Sequence, residues 1–148
     1  MSERPSADPV VVRAGRPEDV STVLLFWTQA TSVASSTDDP ASVRALLARD
    51  PEALLVAELD GRIIGTLIVG WDGWRAGLYR LAVDPQLRRL GIGGSLVREA
   101  ERRLAEVGAR RVAVVVIGEH DHAVGFWRSM GYEHDARVGR FVRDLPAE

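Results

Sequence analysis

Residues 78–95, LYRLAVDPQLRRLGIGGS, decide the fold of this chain. The apolar run from Leu78 to Val83 is typical of a buried strand, and Asp84-Pro85 ends it because proline cannot donate to a strand ladder. A turn with glycines spaced by one follows, and an amphipathic helix begins near Ile92. The stretch therefore predicts a strand, a glycine-containing turn and a helix in direct succession.

The turn has the features of a phosphate-binding site. The first amides of a helix have no partner within the helix, and the helix dipole adds partial positive charge there. The absence of Cβ at Gly91, Gly93 and Gly94 lets a phosphate approach the backbone. Arg88 and Arg89 add positive charge beside these amides. A glycine-rich turn can also merely close a strand–helix corner, but all these features together favour a pyrophosphate site.

Three common phosphate or nucleophile motifs do not fit the turn. A Walker loop requires Gly-Lys followed by Ser or Thr, and the stretch has no such sequence. The dinucleotide-binding fingerprint requires a third glycine at the position of Leu96. A nucleophile elbow requires a serine between two spaced glycines, whereas Ser95 is followed by Leu96 and Val97.

Outward from this stretch, hydrophobic periodicity and turn residues predict the other elements. Downstream, the patterns predict a helix over Ile92–Val107, a strand over Val112–Ile117 buried on both faces, a helix over His122–Met130 and a last strand at Phe141-Val142. Upstream, they predict a strand at Val10–Arg13, helices that begin at Pro17 and at Asp39-Pro40, and strands at Leu54–Leu59, Arg62–Val69 and Gly77–Val83, with a type I′ turn at Asp60-Gly61. The order β-αα-βββ-α-β-α-β predicts one α/β (α+β) domain with a mixed sheet over residues 9–148, after a disordered tail over residues 1–8.

Composition limits the classes of function. The 148 residues are 46% hydrophobic and 27% charged, which is ordinary for a globular domain. A net charge of −2 argues against a general nucleic-acid binder, and the absence of cysteine excludes disulfides and thiolate metal sites. The start of the chain has no secretory signal pattern, and the apolar runs are too short to span a bilayer. We therefore expect a soluble, cytoplasmic protein without a membrane or nucleic-acid partner.

The sequence strongly resembles the GNAT acyltransferase superfamily. The signature of that family is Gln or Arg, two residues, Gly, one residue, then Gly or Ala, and Arg88–Gly93 matches it. The family also has an apolar strand ending in Ala-Val before a proline, found here at Leu81–Pro85. Its last helix ends in an aromatic and then Gly-Phe or Gly-Tyr, found here at Phe126–Tyr132. The resemblance covers roughly residues 10–145 and implies a GNAT-like mixed β-sheet flanked by helices.

The resemblance implies that acetyl-CoA is the co-substrate. In the family, two parallel strands splay apart, and here these strands correspond to Leu78–Val83 and Val112–Ile117. The pantetheine arm enters the wedge, and the pyrophosphate lies on the turn. The residues implied to bind the coenzyme are Leu81, Ala82, Val83, Arg88, Arg89, Leu90, Gly91, Ile92, Gly93, Gly94, Ser95, His120 and Trp127. Backbone amides near Val83 would polarise the thioester while an amine attacks it directly.

Three positions depart from the family. An Asn that often begins the last helix is His120 here, and a Tyr that often protonates the leaving thiolate is Trp127, whose indole cannot do so. The catalytic Glu of ribosomal-protein acetyltransferases falls on Val115, which argues against that branch. The remaining candidate catalytic groups are His120, as a base, and Tyr79. The alternatives are that His120 caps a helix or lies at the surface and that Tyr79 only packs in the sheet.

The acceptor cannot be identified from the sequence beyond a small-molecule or peptide amine. Trp71, Asp72 and Trp74 could line its pocket with Trp27 opposite, because aromatic and acidic groups suit a cation, although tryptophans often only cover a small core. Two histidines one residue apart, His120 and His122, lack a third ligand, so we expect no metal. An acetyl-CoA sensor with weak or lost activity is the main alternative function, and a structural partner is another. A homodimer is left open.

Overall fold

A computed structural model of the chain describes residues 9–30, 34–116 and 121–146. Its strands are β1 (Val11–Ala14), β2 (Leu54–Leu59), β3 (Arg62–Trp71), β4 (Ala76–Val83) and β5 (Val112–Val114). Its helices are α1 (Val20–Ala30), α2 (Pro40–Arg49), α3 (Ile92–Glu106) and α4 (Asp121–Ser129), with short 3-10 turns at Pro17–Asp19 and Pro85–Leu87. The predicted order is confirmed through the last helix. The predicted tail over residues 1–8 lies outside the described residues.

The chain divides into two compact units between Val115 and Val116. The first unit contains the five-stranded sheet, in the order β1-β2-β3-β4-β5, with α1, α2 and α3. The second unit contains α4 and the residues that follow it. The prediction of one domain over residues 9–148 stays a prediction. None of the helices in the described ranges is long and apolar enough to cross a membrane.

Strand pairing follows the short connections in the sequence. β1 to β4 are antiparallel neighbours, whereas β4 and β5, which are separated by α3, are parallel. Asp60 and Gly61 join β2 to β3 with φ angles of 52° and 72°. Positive φ at both central residues is the property of a type I′ turn, so the predicted hairpin is confirmed.

Helices cover both faces of the sheet in the first unit. Gly65 lies under α3, because a Cβ on Gly65 would come within 3.1 Å of the side chains of Ile92 and Leu96. The next residue, Thr66, faces the other way and accepts a hydrogen bond from Trp27 of α1. The residues packed between the sheet and helices α1 and α2 are Val20, Val23, Phe26, Trp27, Val43, Leu47, Leu54, Val56, Ile63 and Ala82.

Two strand predictions are wrong in part or in full. The strand predicted over Val112–Ile117 ends at Val114, and residues 112–116 are half-buried or exposed rather than buried on both faces. Ile117 lies outside the described residues. β5 pairs only with β4 in the described part of the chain, which explains why apolar residues there stay accessible. Phe141-Val142 forms no strand, and Phe141 is 98% exposed. Two adjacent apolar residues between arginines point to opposite sides of a strand and offer a sheet no continuous face.

In the second unit, α4 ends in a Schellman motif. The N–H of Tyr132 donates to the carbonyl of Trp127, the N–H of Gly131 donates to that of Arg128, and Gly131 has a φ of 90°. The motif brings the ring of Tyr132 edge-on to that of Trp127, with 5.0 Å between centroids. Trp127 is thereby packed within its own unit.

Candidate active site

The edge of β4 is open over its second half. β5 pairs with β4 only from Ala76 to Leu78, whereas β4 continues to Val83. Over Tyr79–Val83, no strand in the described ranges pairs with that side of β4. The strand therefore leaves a short length of backbone available to an extended ligand.

Alternation along β4 shows which backbone groups face this edge. The N–H of Asp84 donates to the carbonyl of Ile64 on β3 at 2.8 Å. Because the N–H and C=O of successive residues in a strand point to opposite sides, the groups of Ala82 also point toward β3. Those of Leu81 and Val83 point away from β3 toward the open edge. Of the three residues expected there, two therefore present their backbone to a ligand.

A β-bulge interrupts β4 where the open edge begins. Thr66 pairs with Ala82 and Ile68 with Tyr79, so Arg80 and Leu81 together oppose one residue of β3. Arg80 has a φ of 54°, which is in the left-handed region that side chains rarely adopt. The hydroxyl of Thr66 donates to the carbonyl of Arg80 at 3.0 Å. The sequence did not predict this bulge, since Arg80 is neither glycine nor asparagine.

The Arg80 side chain is itself anchored. Its guanidinium donates to both carboxylate oxygens of Asp38 and lies over the ring of Trp27, 5.2 Å from the centroid. Burial lowers the pKa of Arg80 from its ordinary value, but an arginine remains charged at neutral pH. Sequence reasoning missed both Asp38 and Arg80, because these two residues are far apart along the chain.

The turn after β4 leads into α3, whose N-terminus has no side-chain cap. The carboxylate of Asp84 accepts hydrogen bonds from the N–H of Gln86 and from Arg62, both at 2.9 Å, and thereby orders the start of the turn. Gly91 occupies the N-cap position of α3 with a φ of 79° and makes no side-chain capping bond. Ser95 directs both its N–H and its hydroxyl to the carbonyl of Gly91. The first amides of α3 are therefore not capped by a side chain.

Arginines surround this helix start. Arg88 and Arg89 are exposed, and neither forms an ion pair within the described ranges.

Farther along α3, Arg102 and Arg103 are both paired with Glu99, and hydrogen bonds from Arg102 lower the pKa of Glu99 to about 2. Glu99 and Arg103 have the i,i+4 spacing that favours ion pairs on a helix.

Gly94 also makes room for a side chain of its own helix. A Cβ on Gly94 would lie 3.1 Å from a guanidinium nitrogen of Arg98, which folds back along the first turn of α3. Arg98 is nevertheless exposed.

Tyr79 lies on the surface of the sheet beside the bulge. It is 55% exposed, and its ring covers Gly70 and Gly77, where a Cβ would come within 3.0 Å and 2.8 Å of ring or hydroxyl atoms. The two glycines therefore give the ring its place on the sheet. The Tyr79 hydroxyl lies near Gly77, on the part of β4 that β5 still pairs.

The four residues predicted to line an acceptor pocket are in two places. Trp27 is a core residue, 3% exposed, and donates to Thr66 at 2.8 Å. Thr66 and Trp71 are five positions apart on β3, about 16 Å, so Trp27 does not lie opposite the Trp71–Trp74 turn. In that turn, Asp72 accepts hydrogen bonds from two backbone N–H groups, those of Arg75 and Trp74, and these bonds lower its pKa. Trp74 is exposed, with the Arg75 guanidinium 4.3 Å from its ring centroid.

The remaining predicted residues lie at the end of the chain. His120 lies outside the described residues, so its role as a base or a ligand of the coenzyme stays a prediction. Trp127 is buried by rings of its own unit, Phe126 and Tyr132. Within the described ranges, no group of three or more His, Asp or Glu residues could hold a metal ion.

The fold and the open edge of β4 agree with the family to which the sequence belongs. A mixed sheet flanked by helices presents an open strand edge that leads into an uncapped, arginine-flanked helix start. The model of the acetyltransferase (GNAT) family matches residues 21–132. Since this match covers most of the chain, the protein belongs to that family, whose members bind acetyl-CoA and act on amines.

Solved structures of this family have the same fold. Ard1 from Thermoplasma volcanium is 22% identical, with a TM-score of 0.77 over 86% of this chain and 84% of its own. The PaiA N-acetyltransferase from Thermoplasma acidophilum, solved with coenzyme A, is 17% identical, with a TM-score of 0.77 over 88% and 94%. An aminoglycoside N-acetyltransferase solved with CoA is 17% identical, with a TM-score of 0.76 over 97% and 100%. At these identities the likeness concerns the fold.

Proposed function

We propose that this protein is an acetyl-CoA-dependent N-acetyltransferase in which the acceptor amine attacks the thioester directly. The proposal rests on two sets of backbone groups that follow one another along the chain and have no hydrogen-bond partner in the described ranges. The open edge at Leu81 and Val83 leads through a short turn to the uncapped amides of α3. An amide-containing arm that ends in a diphosphate has matching chemistry along its whole length.

The diphosphate would lie on the start of α3. The N–H groups of Ile92, Gly93 and Gly94 are those that an N-cap side chain normally satisfies, and here Gly91 leaves them available. A Cβ at Gly91 would meet no atom within 4 Å, so the ligand side of the turn is open. Arg88 and Arg89 have no carboxylate partner in the described ranges and would add charge-assisted hydrogen bonds.

Acetyl-CoA supplies an acetyl group that is already activated as a thioester. The protein would align the pantetheine arm on the edge of β4 and direct the N–H of Leu81 or that of Val83 toward the carbonyl oxygen. Fixed donors at the atom where negative charge develops lower the barrier without any proton transfer. The nitrogen–carbon bond forms as the carbon–sulfur bond breaks, and CoA leaves as the thiolate.

Proton transfer is assigned to two candidates. An acceptor ammonium must lose a proton before it attacks, and His120 or Tyr79 would accept this proton directly or through water. Tyr79 is exposed next to the bulge, within reach of solvent. Trp127 has no titratable proton, so we propose that the thiolate is protonated by water or by the amine's own released proton.

The acceptor side is proposed to lie at the turn Trp71–Trp74 and the adjoining surface of β4. Asp72 remains a carboxylate because two backbone N–H groups stabilise its charge, and an exposed carboxylate beside Trp74 attracts a cationic amine. Trp27 would act on the site only from beneath, through Thr66. These features fit a small-molecule or peptide amine.

The experiment is calorimetric titration with acetyl-CoA, followed by detection of free thiol across a panel of amines. The panel includes aminoglycosides, polyamines, amino acids and peptides with free N-termini, since each presents a different amine. We expect saturable binding of acetyl-CoA and thiol release that depends on at least one amine class. No binding at millimolar coenzyme would refute the proposed site.

A second function has one observation in its favour. Trp127 is packed between aromatic rings and provides no acid, which suits a protein that binds acetyl-CoA as a sensor. In that case calorimetry gives the same binding isotherm and the whole panel gives no thiol release above solvent hydrolysis. The two functions are thus separated by the second half of the same experiment.

A further inference from the structure

Side chains from β3, from α1 and from the loop before α2 hold the unusual backbone conformation of the bulge at Arg80. Glycine adopts a φ of 54° readily, but arginine does so only when its surroundings hold it there. Thr66 of β3 donates to the carbonyl of Arg80, and Trp27 of α1 donates to Thr66. Asp38, just before α2, accepts from the Arg80 guanidinium. Both the main chain and the side chain of Arg80 are therefore restrained.

Arg80 is restrained at the point of β4 where its conformation affects the open edge. Arg80 lies two residues after Leu78, the last residue of β4 that β5 pairs, and directly precedes Leu81, whose N–H faces the open edge. A bulge shifts every later residue of its strand by one position relative to the neighbouring strand. The conformation of Arg80 therefore sets the direction of the N–H groups of Leu81 and Val83.

We propose that Arg80, held by Asp38, is a positioning residue for acyl transfer: the pair keeps the bulge in the one conformation that directs an N–H group of the open edge at the thioester carbonyl. The inference rests on the proposed function, because it assigns a task to the same edge of β4. The side chain of Arg80 touches no substrate in this assignment and acts only through the backbone of its own strand.

The assignment implies that the binding of acetyl-CoA and the polarisation of its thioester depend on different residues. The diphosphate cradle begins at Arg88 and is ordered by its own bonds, among them that of Asp84 with Gln86. Loss of the Arg80–Asp38 pair should therefore leave most of the affinity for acetyl-CoA while it weakens polarisation of the thioester. A pair that served only stability would change neither property of the folded protein.

The variants are Arg80→Gln and Asp38→Asn, with Arg80→Lys as the conservative change. Lysine keeps the charge but lacks the planar fork that engages both oxygens of Asp38. The matched control is Arg13→Gln. Arg13 forms a similar half-buried pair, with Asp19 at 2.8 Å and Glu58 at 2.6 Å, on the first strand of the sheet and away from the open edge. All variants are compared below their melting temperatures, so that only folded protein is measured.

The readout is the infrared stretch of acetyl-CoA labelled with carbon-13 at the acetyl carbonyl, bound to each variant. We expect the wild type and Arg13→Gln to shift the stretch to lower frequency than in free acetyl-CoA, because hydrogen bonds weaken the carbonyl bond. We expect Arg80→Gln and Asp38→Asn to lose at least half of this shift, with Arg80→Lys between them and wild type. Calorimetric affinity should change by less than about threefold, since the diphosphate contacts persist.

With an active amine from the panel, kcat of Arg80→Gln should fall about tenfold or more while KM for acetyl-CoA stays nearly constant. The same carbonyl shift in Arg80→Gln as in wild type, or an equal loss in Arg13→Gln, would overturn the inference. Wild type that binds acetyl-CoA without any carbonyl shift would overturn it too. Wild type that does not bind acetyl-CoA refutes the proposed function itself, which the calorimetry shows before any spectrum is recorded.

Discussion

The helices α2 and α3 begin in opposite ways. At α2, the carboxylate of Asp39 accepts hydrogen bonds from the N–H and the hydroxyl of Ser42, at 2.8 Å and 2.9 Å, and Pro40 removes one donor altogether. At α3, Gly91 provides no side chain and leaves the corresponding amides without a cap. A side chain of the protein caps the N-terminus of α2, whereas no side chain caps that of α3.

This difference supports placing the proposed diphosphate site at the start of α3. Asp39 already binds an amide of α2, whereas Gly91 leaves the first amides of α3 accessible to an anion. The flanking residues agree, since Arg88 and Arg89 lie beside the uncapped start while the capped start has no arginine in its first turn. The following predictions exchange or remove features of the two starts.

The largest effect is expected from filling the start of α3. Gly93→Trp places an indole where the diphosphate would lie, and we expect acetyl-CoA binding to become undetectable by calorimetry, a loss of at least about a hundredfold. A tryptophan on the exposed face of the same helix, Arg102→Trp, serves as the control and should bind as wild type does. Unchanged affinity in Gly93→Trp would contradict the proposed cradle.

A smaller loss should follow when α3 receives the kind of cap that α2 has. Gly91→Asp introduces a carboxylate at the N-cap, whereas Gly91→Asn introduces a neutral side chain of the same shape that also tolerates positive φ. Both variants compete for the amides, but only aspartate repels the diphosphate. We expect the aspartate variant to bind acetyl-CoA about tenfold or more weakly than the asparagine variant at low salt. Equal affinities would mean that no anion binds at this helix start.

The two helix starts were predictable because their signals are local. Asp39-Pro40 and Gly91–Gly94 are short patterns whose meaning depends on a few neighbouring residues, as does the Asp60-Gly61 turn. Trp27 was assigned a pocket role because aromatic groups suit a cation, with a core role as the alternative. Its spacing with Val20 and Val23 is that of a core residue, and the structure buries it.

What the sequence did not predict depends on residues that are distant along the chain. The bulge at Arg80 depends on contacts with Asp38, Thr66 and Trp27 together, and no local sequence pattern around Arg80 predicts it. The length of β5 likewise depends on how many of its residues pair with β4, and an apolar run alone does not show this. The residues proposed to bind the coenzyme therefore follow from the sequence, whereas the bulge proposed to direct the chemistry requires coordinates.

Removal of single charges beside α3 should have a moderate effect. We expect Arg88→Gln and Arg89→Gln each to weaken acetyl-CoA binding about three- to tenfold, because exposed charges contribute modestly and share the ligand. Affinity should also fall less steeply with added salt in either variant than in wild type. Arg110→Gln is the matched control, since it lies beyond the other end of α3, about 20 Å away. An equal loss in Arg110→Gln would indicate a general effect of net charge rather than contact at the helix start.

The smallest effect concerns the capped helix and depends on pH. The N–H and hydroxyl of Ser42 lower the pKa of Asp39 below its ordinary value of 3.8. Because the carboxylate is favoured in the folded state, its contribution to stability is present above that ordinary pKa and is lost as pH falls through the lowered one. Asp39→Asn keeps a capping oxygen but cannot titrate. Its melting temperature should therefore differ from that of wild type by a small, constant amount at neutral pH, and the difference should shrink below about pH 4. Acetyl-CoA affinity should be the same in both proteins, because the start of α2 has no vacant amide for a phosphate to occupy.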